Sequence, residues 1–118
     1  MCIRDRSTDI VISPHGAQLT GIPFMSTCGS LLEIYPDNYK KTRYFGDLAM
    51  YSDVFHFMMS NDEVDQSTNM DKNLRREMRQ VDLCPDNQSL TDGIELIIKN
   101  WRSCCKLHQE SERIQTTV

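Results

Sequence analysis

The 118-residue sequence predicts an α/β fold, a partial parallel sheet with flanking helices, and three observations predict it. A β-branched run, Ile10-Val11-Ile12, ends at Pro14 and Gly16. Residues 14 to 30 then form a connection long enough for the crossover helix that parallel strands require. A second apolar run, Leu31-Leu32-Glu33-Ile34, ends at Tyr35-Pro36. Unbroken apolar runs between breakers mark strands covered on both faces, the normal condition of a parallel sheet.

The remaining elements follow in order. Ala17, Gln18, Leu19 and Ile22 suit a short helix after Gly16. Asp37-Asn38 starts a second helix, with Tyr44, Phe45, Leu48 and Ala49 at helical spacing along its inner face. Val54 to Met59 reads as the next strand, and Asn61 to Lys72 is polar and without period, a loop or insertion. A short helix is expected from Leu74 to Gln80. The last helix has the clearest signal: Ser89 and Asp92 form a capping-box pattern, and Leu90, Ile94, Ile97, Ile98, Trp101 and Cys105 make one apolar stripe. Residues 106 to 118 turn polar and are expected to fray.

The first loop carries the chemistry. The first amides of a helix have no partners inside it, so they point back at the strand end and favour an anion there. Gly16 has no side chain to hold a pyrophosphate away from the backbone, and Ala17, Gln18 and Leu19 supply further amides. His15, beside that helix mouth, is placed to donate to a phosphate oxygen or to stabilise a departing diphosphate. Glu33 ends the next strand, at the sheet edge where open α/β sheets hold ligands, and is placed to accept from ribose or sugar hydroxyls. Lys40, Lys41 and Arg43 form a charge run at a helix start, which usually is a solvated face.

The strings Ser13-Pro14-His15-Gly16-Ala17-Gln18-Leu19-Thr20, Phe24-Met25 and Gly29-Ser30-Leu31-Leu32-Glu33-Ile34-Tyr35-Pro36 together resemble the carboxy-terminal hallmark of glycosyltransferase family 61. That family includes EGF-domain-specific O-linked N-acetylglucosamine transferases and plant xylosyltransferases. The dense match spans residues 9 to 36, and a looser one runs through Tyr39, Tyr44-Phe45, Leu48-Ala49 and His56 to Met59. Many members have Gly where Gln18 stands and Asn where Gly21 stands. The resemblance implies a Rossmann-like half-fold, the C-terminal donor-binding half of a GT-B glycosyltransferase that inverts configuration and generally works without a metal or other cofactor. It implies a nucleotide-sugar donor, most naturally a UDP-sugar such as UDP-N-acetylglucosamine or UDP-xylose, and a protein or glycan acceptor. His15 and the loop Gly16 to Leu19 match its donor motif, and the expected compartment is the Golgi or endoplasmic reticulum lumen. The alternative is a non-catalytic nucleotide- or carbohydrate-binding module on the same half-fold, since a Rossmann-like sheet does not by itself establish catalysis.

Length points the same way, because a two-domain transferase needs far more than 118 residues. Residues 7 to 105 are therefore expected to be one donor-binding part. Its acceptor groove and catalytic base would come from a missing N-terminal domain of the same chain, and the fragment alone is expected to be inactive. Met1 to Arg6 matches the translation of a transposase mosaic-end primer used in sequencing libraries and is set aside as a scar. That leaves Cys28, Cys84, Cys104 and Cys105, an even number that suits an oxidising lumen. Four cysteines allow three pairings, between which sequence alone does not choose; a bridge from Cys84 to Cys104 or Cys105 is attractive because it would tie a loop to a helix, and free buried thiols are the alternative. Asn87-Gln88-Ser89 is an N-glycosylation sequon. Cys104, Cys105 and His108, with Cys84 upstream, stand at spacings able to hold zinc. The four-ligand spacing of known zinc folds is missing and Cys105 belongs to the apolar stripe, so no metal site is expected. A net charge of -4, with both halves mildly acidic, does not suggest a nucleic-acid partner, and no apolar stretch is long enough to span a membrane.

Overall fold

The centre of the molecule is the strand Ser30–Ile34 (β2), whose five residues are all buried. In the computed structural model, which describes residues 7–62, 72–78 and 80–116, it lies between Ile10–Pro14 (β1) and Phe55–Met59 (β3). Both pairings are parallel, with Ser13 opposite Glu33 and Leu31 opposite His56. The chain is thus a mixed α/β structure on a three-stranded parallel sheet of order β1-β2-β3. The ladder continues past the strand ends, where the His15 N–H donates to the Ile34 carbonyl and the Tyr35 N–H to the Met59 carbonyl, each at 2.9 Å.

Strand alternation divides the sheet into two chemically different faces. Val11, Ser13, Leu31, Glu33 and His56 share one face. A 3-10 helix, Ala17–Phe24, and the helix Thr42–Tyr51 (α1) cover it, and Leu19, Ile22, Leu31, Phe45, Ala49 and Val54 close the main core there. Leu32 and Met59 belong to the other face, where the long helix Asn87–Thr116 (α3) packs. Its Gly93 comes so close that an added Cβ would lie 3.3 Å from Leu32 Cδ2. A shorter helix, Lys72–Met78 (α2), precedes it.

Several elements differ from their sequence-based expectation. The first crossover is 3-10 rather than α-helical, since Pro23 has no N–H for an i to i−4 bond and Gly21 is a weak helix former. α1 begins at Thr42, not at Asp37, because Asn38 adopts a left-handed φ of 60° and the Tyr39 N–H turns back to the Pro36 carbonyl at 3.1 Å. The cap of α3 is Asp86, whose Oδ2 accepts from the Ser89 N–H at 2.9 Å and the Ser89 hydroxyl at 3.0 Å, in place of the expected Ser89 and Asp92 pair. Those bonds hold the Asp86 pKa below its ordinary value. The apolar stripe of α3 faces the sheet as expected, with Ile97 fully buried. The helix does not fray at Cys105 but runs on to Thr116. Residues 1 to 6, expected as a scar, Thr117-Val118 and most of the polar stretch expected as a loop between Asn61 and Lys72 lie outside the described residues.

Cys104 bonds to Cys28, not to Cys84, with Cα atoms 5.7 Å apart. Helix rise explains the exchange. α3 starts near the carboxyl ends of the strands, where Cys84 lies beside Ile34 and Met59. Cys104 comes about 25 Å further along the helix axis, at ~1.5 Å per residue, next to the loop that enters β2. Cys84 is exposed and Cys105 half-buried, and both are free thiols. The bridge spans 76 residues, so Cys28→Ser is expected to lower unfolding stability by roughly 4 kcal/mol, read as a shift of the urea midpoint, through the chain entropy the unfolded state regains. A shift below about 1 kcal/mol would mean that the reduced chain is held by packing alone.

Candidate functional site

The carboxyl ends of β1 and β2 carry the side chains singled out by sequence. Glu33 has no solvent exposure. Its Oε1 bonds His15 Nδ1 at 2.5 Å, while its Oε2 lies 2.7 Å from His56 Nε2 and accepts from the Tyr35 hydroxyl at 2.7 Å. Burial by itself works to raise the Glu33 pKa. The hydrogen bonds of His15, His56 and Tyr35, with the charge of His15, outweigh it and hold the carboxyl below its ordinary value. One ionised carboxylate therefore fixes three rings beneath the cleft.

Glu33 does not take the place expected for it. A carboxylate with no exposure and both oxygens bonded cannot reach a sugar hydroxyl, so its role is to position His15. His15 packs among Tyr35, Tyr39 and Phe45, each with ring centroids 5.3 Å away, and Tyr44 at 6.0 Å. With Nδ1 bound to Glu33, the ring retains Nε2 for another partner. His56 is the member of this network whose role sequence reading missed. Its signal was strand parity: in the parallel register it stands opposite Leu31, on the same face as Glu33. An added Cβ on Gly46 would come within 3.2 Å of His56 Nδ1, so this glycine lets α1 lie over the imidazole.

Above this network opens a cleft of about 480 Å³ lined by His15, Gly16, Ala17, Thr20, Lys41 and Tyr44 among others. Of the four loop residues expected to cradle an anion, Gly16 and Ala17 line it. Gln18 turns away and donates to the Ser13 hydroxyl at 3.1 Å and the Pro14 carbonyl at 2.9 Å. Leu19 is a core residue, and its N–H is taken by the Gly16 carbonyl at 3.1 Å. Gln18 and Leu19 thus secure the cleft wall without facing the cleft. A Cβ on Gly16 would run into the end of the Gln18 side chain, which would have to shift.

Lys41 departs furthest from its expectation as part of a solvated charge run. It is 7% exposed, because the turn at Asn38 brings it inward before α1 begins. Its Nζ lies 5.1 Å from the centroid of the Tyr39 ring, and among the described residues no carboxylate pairs with it. Lys40 points elsewhere, to the Asp62 carbonyl at 3.0 Å, and Arg43 is exposed beside Asp47 at 3.7 Å. The cleft therefore brings together a lysine ammonium, an imidazole and the backbone of a glycine, groups able to donate hydrogen bonds to an anion.

Asn87 is exposed in the first turn of α3, accessible to glycosylation, and among the described residues no helix is long and apolar enough to cross a membrane. No family model, curated protein or solved structure matches this chain.

The network predicts an acid-sensitive fold. Because the folded Glu33 pKa lies below the unfolded one, its contribution is fully present above about pH 5 and is lost as pH falls through the folded value. Glu33→Gln is expected to destabilise by roughly 2 to 4 kcal/mol near neutral pH, by leaving two imidazoles and a phenol without their anion. That deficit should shrink on acidification to about pH 3, as urea midpoints of both proteins would report. A deficit independent of pH would refute the ionised carboxylate.

Proposed function

We propose that this chain is the donor-binding part of a glycosyltransferase and that the cleft at the strand ends binds the diphosphate of a nucleotide-sugar, in keeping with the resemblance to family 61. The observation that carries the reading is Lys41: a lysine 7% exposed that lines the same cleft as His15, Gly16 and Ala17, with no carboxylate paired to it among the described residues. An ammonium that opens on a cleft without a paired carboxylate favours an anionic ligand there, which supplies the counter-charge. The position agrees with the general rule that open α/β sheets bind ligands outside the carboxyl ends of their strands.

In an inverting transfer the acceptor oxygen attacks the anomeric carbon, and the bond from that carbon to the diphosphate breaks. The electron pair leaves on the phosphate oxygen. Lys41 is placed to offset the charge gathering there, and His15, held through Nδ1 by Glu33, to donate from Nε2 when its ring is protonated. Both act without a metal. The base that takes the acceptor proton, and the acceptor groove, belong to the other domain of such an enzyme. On this reading the three-stranded sheet is part of the donor half of a GT-B enzyme.

Calorimetry with UDP and with uridine tests this. UDP is expected to bind more tightly than uridine. Lys41→Gln and His15→Ala should each weaken UDP by about 1 to 3 kcal/mol while changing uridine binding little, the range for losing one charge-assisted contact. Failure of the folded chain to bind UDP would overturn the donor site. Equal losses for UDP and uridine would remove the diphosphate from the cleft, and retained binding in a full-length protein that transfers no sugar would favour a non-catalytic binding module.

A further inference from the structure

We propose that Cys28, Cys104 and His108 form a redox-gated zinc site, closed while the two cysteines are bridged and able to take one zinc ion when they are reduced. The site does not rest on the donor reading and lies at the opposite end of the sheet. Cys28 is in the loop that enters β2, held at φ 65°, and Cys104 and His108 stand four residues apart on one side of α3. The two sulfurs and an imidazole nitrogen of His108 all lie within 4.8 Å of one another.

Three features make this a ligand set and not only a bridge. Zinc takes thiolate and imidazole donors tetrahedrally, with thiolates about 3.8 Å apart given Zn–S bonds of ~2.3 Å, a separation that the cluster accommodates once the bridge is cut. The i, i+4 spacing holds Cys104 and His108 on a rigid helix, while Cys28 comes from a loop against it. A cleft of about 560 Å³ opens beside the three, lined by Ser52 and Asp53 as well, and leaves the fourth coordination position to water. His108 is exposed, so it is ready to turn its ring to an ion without unpacking the core.

The chemistry balances. An external dithiol attacks the bridge, two electrons and two protons pass to the Cys28 and Cys104 sulfurs, and the reductant leaves as its own cyclic disulfide. Zinc then displaces the two thiol protons, so uptake releases two protons per ion and two thiolates with neutral imidazole complete the protein's share. In the oxidised chain neither sulfur carries a thiolate, so the two states exclude each other. Cys84 and Cys105 take no part: neither belongs to the cluster that brings the three donors together.

The test uses the full chain with Cys2, Cys84 and Cys105 replaced by Ser, reduced with a phosphine and titrated with zinc against a chromophoric chelator. Circular dichroism follows the fold, and cobalt substitutes as a spectroscopic probe. One zinc per chain is expected in the reduced state, with at least a hundredfold weaker binding in the oxidised state. His108→Ala should weaken zinc tenfold or more, and cobalt should show thiolate charge-transfer and intense tetrahedral bands. His108→Ala leaves the bridge and its packing in place, so its fold is verified in the oxidised form. Where reduction loosens the chain, zinc is expected to restore the helical signal in the parent and not in His108→Ala. Equal affinity in the oxidised and reduced chains, an unchanged affinity in His108→Ala, or a reduced chain that zinc neither binds nor refolds would each overturn the proposal.

Discussion

Everything at the carboxyl end of the sheet depends on one buried carboxylate. Glu33 sits on the fully covered central strand, where an isolated charge would be excluded, and it is tolerated because His15, His56 and Tyr35 all turn their polar atoms to it. The three partners come from the ends or interior of three different strands and their extensions. The network therefore ties β1, β2 and β3 together through side chains as well as through the backbone ladder. It also dictates which nitrogen of His15 is left for the cleft, so the electrostatic character of the surface is set one layer below it.

The two ends of the sheet serve different purposes. At the carboxyl ends, the loop after β1 and the turn after β2 bring small residues, an imidazole and a lysine ammonium to one cleft. At the amino ends, the loop before β2 meets the far part of α3 through the bridge between Cys28 and Cys104. α3 links them physically: it begins beside the carboxyl ends, crosses the sheet over Leu32 at Gly93, and reaches the amino ends near Cys104. A 30-residue helix with one fully buried residue has little packing of its own beyond that stripe. The covalent tie thus fixes a helix whose terminal turns stand clear of the sheet.

The parallel strands and the stripe of α3 were legible because each is written in the local pattern: unbroken apolar runs for covered strands and a 3.6-residue repeat for the helix. His15, Gly16 and Ala17 were legible as cleft residues because their place follows from the strand end that precedes them. Gln18 and Leu19 were not, because which side of a 3-10 turn faces outward depends on what packs beneath it. The start of α1 was misread because the Asp37-Asn38 signal serves a turn here, and a turn and a helix start use the same residue types for the same hydrogen-bonding reason.

The sequence alone determined that this chain makes an α/β unit with parallel strands, because unbroken apolar runs and the length of the connection between them are written in neighbouring residues. Only the tertiary structure decided that Glu33 faces inward to two histidines, that Lys41 is buried and unpaired by carboxylate among the described residues, and that Cys104 meets Cys28. Those outcomes depend on distances between segments far apart in the chain: the pairing partner of a cysteine is set by how far a helix carries it, and the charge environment of a side chain by what the other strands bring beside it.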